Sequence, residues 1–137
     1  MRDAAMGPGV ARERSPEQVL AHIAALSAGA PWLGILTGGR GAGKSTWCAA
    51  LADSARARGI SVAGVLSRAV FDDDSLPPAE RVKVRIDLVD LGTGAAHVLA
   101  TPGNPDAEGH GMRWHFHDET IAWANQVLAS VGDANLV

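Results

Sequence analysis

The densest chemistry in the chain lies in one run, Gly38-Gly39-Arg40-Gly41-Ala42-Gly43-Lys44-Ser45-Thr46. It reads G-x-x-x-x-G-K-[ST], in the tighter form G-x-x-G-x-G-K-S-T, a pattern whose backbone cradles phosphate. Glycines let the chain curl until successive amides face one anion. A helix beginning at the end of the curl adds its positive end to the same spot. Lys44 is then placed for the β- and γ-phosphates, and the Ser45 hydroxyl for Mg²⁺. Thr46 is a candidate for the α-phosphate. Arg40 is either a further phosphate contact or a solvated loop residue. The ligand this chemistry fits is a polyphosphate, and the bland alternative is a glycine-rich turn that matches by chance.

The flanks favour the first reading. Trp32-Leu33-Gly34-Ile35-Leu36-Thr37 is a short apolar run, long enough for a buried strand. From Ser45 to Arg58 there is no Pro or Gly, alanine is frequent, and Gly59 supplies a stop, so a helix is expected. Strand, glycine loop and helix in that order are the context the motif requires.

Composition sets the frame. A chain of 137 residues fits one domain. Apolar residues make up 47%, charged residues 20%, and the net charge of −3 gives no reason to expect a nucleic-acid partner. The N-terminus lacks the charged start and apolar core of a secretory signal. No apolar run approaches membrane-spanning length, so no membrane partner is expected and the cytoplasm is the expected compartment. Cys48 is the lone cysteine; it cannot form an internal disulfide and reads as a small packing residue in a reducing compartment.

Along the chain, residues 1–14 read as a disordered tail and 15–137 as the domain. Ser15-Pro16-Glu17-Gln18 has the pattern of a capped helix start, with Val19, Leu20, Ile23 and Leu26 as its apolar stripe. His22 is expected half-buried on the flank, and Gly29 and Pro31 are expected to end the helix. Ile60–Leu66 reads as a second strand. Arg81–Leu91 alternates, with Val82, Val84, Ile86 and Leu88 on one face. Gly92-Thr93-Gly94 is a turn, and Ala95–Ala100 returns as the partner strand of a hairpin. Asp118 reads as the cap of a last helix, whose inner face is expected to be Ile121, Ala124, Val127, Leu128 and Val131. Asn135-Leu136-Val137 looks like the first residues of another strand.

Other clusters are weaker. Asp72-Asp73-Asp74 reads as a solvated loop tip, because consecutive residues rarely aim at one point. His110, His115 and His117 lack a zinc-type spacing. Trp114 and Phe116 read as packing residues, or as walls of a nucleotide pocket. A nucleoside-triphosphatase also needs an acidic residue on a neighbouring buried strand to hold Mg²⁺ through water. Asp87 and Asp90 sit on an alternating strand, unlike the continuously apolar strand expected beside the loop. The acidic strand is instead expected to begin at Asn135, with its aspartate past Val137, so the domain is expected to be incomplete at the C-terminus.

With these residues in hand a resemblance emerges. Leu36-Thr37-Gly38 through Lys44-Ser45-Thr46 resembles the start of the small P-loop nucleoside-triphosphatases best known from hyperthermophiles. Gly59-Ile60-Ser61-Val62-Ala63-Gly64-Val65-Leu66-Ser67 is similar to the same family, as is Val84-Arg85-Ile86-Asp87-Leu88-Val89-Asp90-Leu91-Gly92-Thr93-Gly94 followed by Leu99-Ala100. The last helix and Asn135-Leu136-Val137 resemble the approach to that family's acidic strand. The resemblance implies a three-layer α/β P-loop NTPase fold, with a mixed, mainly parallel sheet and an antiparallel hairpin. It also implies Mg²⁺-dependent hydrolysis of ATP or GTP to the diphosphate and phosphate, with broad nucleotide choice. It transfers to Gly38, Gly41, Gly43, Lys44, Ser45 and Thr46, and not to an acidic magnesium residue or a water-positioning group. The expectation is nucleotide binding with impaired turnover. The alternatives are a small-molecule or nucleoside kinase, with His115 or Asp118 facing an acceptor, and a nucleotide-gated interaction module presenting Trp123. The motif names no protein partner.

Overall fold

The computed structural model describes residues 14–26, 29–104, 111 and 113–137. The expected tail, apart from Arg14, and His110 lie outside the described residues. The described elements are helix α1 (Pro16–Ala24), helix α2 (Lys44–Ala57), strands β1 (Val65–Phe71), β2 (Lys83–Asp90), β3 (Ala96–Pro102) and β4 (Trp114–Phe116), and helix α3 (Asp118–Ala129).

Helix α1 starts as its sequence dictates. The Gln18 amide donates to Ser15 Oγ at 3.2 Å, and the Ser15 amide donates to Gln18 Oε1 at 2.8 Å, a reciprocal capping box with Pro16 in the first turn. Val19 and Leu20 are buried and Ile23 and Leu26 half-buried, so the expected stripe is the packed one. The helix stops at Ala24, short of Gly29, and His22 is exposed rather than half-buried. Helix α1 packs against α2, where Ala52 and Ala55 are buried, and Ser54 Oγ donates to Glu17 Oε1 at 3.1 Å. Alanines at the contact let the two helices approach closely.

Strands β1 to β4 form one sheet in chain order, and every pairing is antiparallel. This corrects the expectation of a mainly parallel sheet. Its cause lies at two segments. Trp32–Thr37, expected as the first strand, forms no strand and joins no ladder among the described residues. Leu33 is 84% exposed and Ile35 81%. A parallel strand is stable when neighbours pair both its edges and helices cover both its faces, and this run has neither. Of Ile60–Leu66, residues 60–64 contribute one bridge among the described residues, Val62 to Leu136, which is parallel, while Val65 and Leu66 open β1 and pair antiparallel with β2. Gly64, at φ +111°, breaks the run, and the strand proper begins at Val65. Ala63 N donates to Leu136 O at 2.9 Å and Leu136 N to Ser61 O at 3.0 Å, so the last residues do extend alongside 61–63.

The hairpin β2–β3 forms as expected, with Asp90 holding its turn: Oδ1 accepts from Gly92 N at 2.8 Å and Oδ2 from Thr93 Oγ1 at 2.9 Å. On β2, Leu88 is buried and Ile86 half-buried, while Val84 and Val82 become exposed toward the strand's start. Helix α3 packs across β1, β2 and β3. It is capped by His117, one residue before the expected Asp118. Its inner face is also rotated from expectation. Thr120 is buried, with its hydroxyl donating to Val98 O at 2.6 Å, while Ile121 and Leu128 remain about 40% exposed. Trp123 and Ala124 are half-buried, and Trp123 lies against His97 with ring centroids 4.2 Å apart. Among the described residues no helix is long and apolar enough to cross a membrane.

Candidate phosphate-binding loop

The loop ahead of α2 has the curl its glycines permit. Gly41 sits at φ +78° and Gly43 at φ +89°, both in the left-handed region that costs other residues energy. Ala42 N donates to Gly39 O at 3.2 Å, which tightens the turn. A Cβ on Gly38 would make ordinary contact with the Ala42 Cβ at 3.4 Å and the Lys44 Cγ at 3.7 Å, and its φ is not positive, so the turn itself rests on Gly41 and Gly43. A Cβ on Gly39 would meet nothing within 4 Å, and its φ is not positive, so that glycine is permissive rather than required.

Helix α2 begins at Lys44, with Gly43 as a cap that has no side chain to offer. The first turn contains no acidic residue. Trp47 N donates to Gly43 O at 2.9 Å, but the amides of Gly43, Lys44, Ser45 and Thr46 find no acceptor among the described residues. These are the orphan donors of a helix start, and with the helix dipole they favour an anion. Lys44 folds back over the loop, and its Nζ donates at 2.8 Å to both Gly38 O and Gly39 O. Arg40, Ser45 and Thr46 are exposed and Lys44 half-buried. The nine expected loop residues, Gly38 to Thr46, are therefore together at one helix mouth, while the strand expected to lead into them is unpaired.

The other candidates are absorbed by local structure. Asp90 caps the hairpin turn, and Asp87 pairs with Arg85 at 2.8 Å, so neither is a free carboxylate for a metal. In the aspartate run, Asp72 Oδ1 accepts from Asp73 N and Val82 N, and Asp73 Oδ1 accepts from the Ser75 amide and hydroxyl. Those Ser75 bonds, the hydroxyl first, hold the Asp73 carboxyl below the usual carboxylate range. His117 Nε2 lies 3.3 Å from Thr101 Oγ1, and the His115 and His117 rings meet edge-on at 5.5 Å. No group of three His, Cys, Asp or Glu suited to a metal occurs among the described residues. Trp114 lies under the Lys83 ammonium, 5.9 Å from ring centre to Nζ. It also lines, with Thr101, Pro102, Gly103, Asn104 and His115, an open cleft of about 410 Å³ that no loop residue touches. Cys48 is half-buried, and burial pushes its thiol pKa up, as suits a packing residue.

One contact beside the loop has no sequence signal. Trp47 Nε1 donates to Arg14 O at 2.8 Å, tying the residue before α1 to the first turns of α2. The two positions are 33 apart in sequence, and neither lies in a recognisable motif. In comparisons with known proteins, no protein-family model, no curated protein and no solved structure matches the chain.

Proposed function

We propose that this chain binds the triphosphate of ATP or GTP at Gly38–Thr46 and acts as a P-loop nucleoside-triphosphatase of the type its sequence resembles. What supports this most is the junction at Gly43. A left-handed glycine, four amides without an acceptor among the described residues and one lysine lie side by side there, with no carboxylate in the first turn to compete.

In this reading Lys44 exchanges the carbonyls of Gly38 and Gly39 for the β- and γ-phosphate oxygens. The swap replaces neutral acceptors with anionic ones, so each bond gains ion-pair attraction. The loop amides take the β-phosphate, and Thr46 flanks the α-phosphate. Hydrolysis joins the oxygen of water to the γ-phosphorus and breaks its bond to the β–γ bridging oxygen. The diphosphate leaves, and the water's proton passes to the released phosphate and solvent. The chain contributes position and positive charge rather than a covalent intermediate. Mg²⁺ commonly takes its ligands from phosphate oxygens, waters and one or two protein groups, and the exposed Ser45 hydroxyl fits as one of these. When bound, the ion neutralises phosphate charge. No carboxylate is assigned to it, so slow turnover is expected beside firm binding.

The test is a titration of the purified chain with ATP, GTP and their diphosphates by calorimetry. Saturable binding, reduced at least tenfold in Lys44→Ala, is the expected outcome. Absence of binding to the wild-type chain would end the proposal.

A further inference from the structure

Resting on the nucleotide reading above, we infer that Arg14 supplies a second cationic contact to the loop, directed at the terminal phosphate of the bound triphosphate. The inference starts from two contacts between the α1 region and α2. Glu17 meets Ser54, and the Arg14 carbonyl meets the Trp47 indole. Ser54 lies seven positions beyond Trp47, about 10 Å along a helix at the usual rise. The backbone from Glu17 back to Arg14 therefore travels toward the N-terminal end of α2, where the glycine loop sits.

Trp47 follows Lys44 by three residues, about 4.5 Å along the axis and on the same face. Long side chains on a helix lean toward its N-terminus, so the indole that holds Arg14 is inclined toward the loop. The Arg14 carbonyl is thus fixed close to the first turn of α2, and its side chain is exposed. The capping box at Ser15 and the burial of Val19 and Leu20 fix α1, so Arg14 sits on a docked frame. By contrast Arg56 lies twelve positions beyond Lys44, about 18 Å away along the helix, and its guanidinium donates to Leu91 O. Arg58 is farther still. Arg40 lies within the loop itself, and Arg14 is tied by its carbonyl to Trp47 in the first turns of α2. Guanidinium is the side-chain group that grips phosphate with two parallel hydrogen bonds.

The anchor works through a backbone carbonyl, so it survives any substitution at Arg14. That makes the test direct. Affinities for ATP and ADP are measured on the full chain as wild type, Arg14→Ala, Arg14→Lys, Trp47→Phe and Lys44→Ala, with far-UV circular dichroism to confirm that each is folded. Arg14→Ala is expected to weaken ATP about tenfold and leave ADP within about twofold. Arg14→Lys is expected to recover part of the loss. Trp47→Phe, which keeps the ring but frees the carbonyl, is expected to show a smaller loss with the same ATP-over-ADP bias. If Arg14→Ala matches wild type for ATP while Lys44→Ala loses both nucleotides, the assignment of Arg14 is overturned and the nucleotide reading stands. Equal weakening of ATP and ADP in Arg14→Ala also overturns it, because the contact is then not terminal. If the wild-type chain binds neither nucleotide, both readings fall together.

Discussion

At the scale of single residues, the glycines of the loop are unequal, although the motif writes most of them alike. Gly43 caps α2 at φ +89°, and an alanine there must adopt a left-handed conformation. Gly43→Ala is expected to cost about 1–2 kcal/mol in stability and to weaken phosphate binding by tilting the first amides. Gly39→Ala, with open space around it and no positive φ, is expected to change stability by less than about 0.5 kcal/mol. Chemical denaturation of both variants checks the contrast, and equal losses would contradict it. Cys48 gives a second test. Burial raises its thiol pKa, so less thiolate is present at neutral pH than in an unfolded chain. Alkylation by iodoacetamide should be slower in the native chain than in denaturant at the same pH. A native rate equal to the unfolded rate would show that the thiol is not shielded. Thr120 is the buried polar residue among those described, and its hydroxyl is spent on Val98 O. Thr120→Val keeps the shape and leaves that carbonyl short of a donor, for an expected loss of about 1 kcal/mol by thermal denaturation.

At the scale of elements, legibility tracked how local the determinant was. The α1 start could be read from four consecutive residues, because a capping box is a local hydrogen-bond exchange. Ser15→Ala should remove it at about 1 kcal/mol, visible as a lower melting temperature, with ADP affinity, which does not draw on Arg14, unchanged. The β2–β3 hairpin was equally local, since Asp90 and Gly94 set its turn and alternation set its faces. The glycine loop and α2 were legible for the same reason. What failed was long-range. An apolar run such as Trp32–Thr37 reads as a buried strand whether or not neighbours exist to pair with it, because periodicity reports a side chain's preference for burial and not the presence of a partner. Likewise Ile60–Leu66 looked like one strand, yet Gly64 divides it into a single parallel bridge and the start of an antiparallel strand. The rotation of α3 onto Thr120 depended on one hydrogen bond to a carbonyl 22 positions away, which no helical pattern encodes. The Arg14–Trp47 tie at the candidate site escaped for the same reason.

At the scale of the whole molecule, the buried apolar residues fall into two groups that different elements bring together. Val19, Leu20, Ala52 and Ala55 belong to the helix pair, and Leu88 and Ala100 to the sheet beneath α3. The loop lies between a helix anchored in the first group and a run without a strand, whose Trp32 meets the His22 ring of α1 edge-on at 6.2 Å. Leu33 and Ile35 point their apolar surface into solvent, with Trp32 and Leu36 each 41% exposed beside them. Exposed apolar surface on a segment that pairs with no strand is a template for association. This arrangement separates two properties that usually move together. Replacing both residues, Leu33→Ser with Ile35→Ser, removes little burial and so should shift unfolding stability by less than about 0.5 kcal/mol. The same change should sharply reduce self-association, read by light scattering across a concentration series. It should leave ATP affinity within about twofold, because the loop's shape is set by Gly41, Gly43 and the start of α2 rather than by a strand behind it. A large loss of stability would show that the run is packed in solution. A large loss of affinity with stability intact would show that the loop draws its geometry from the segment ahead of it.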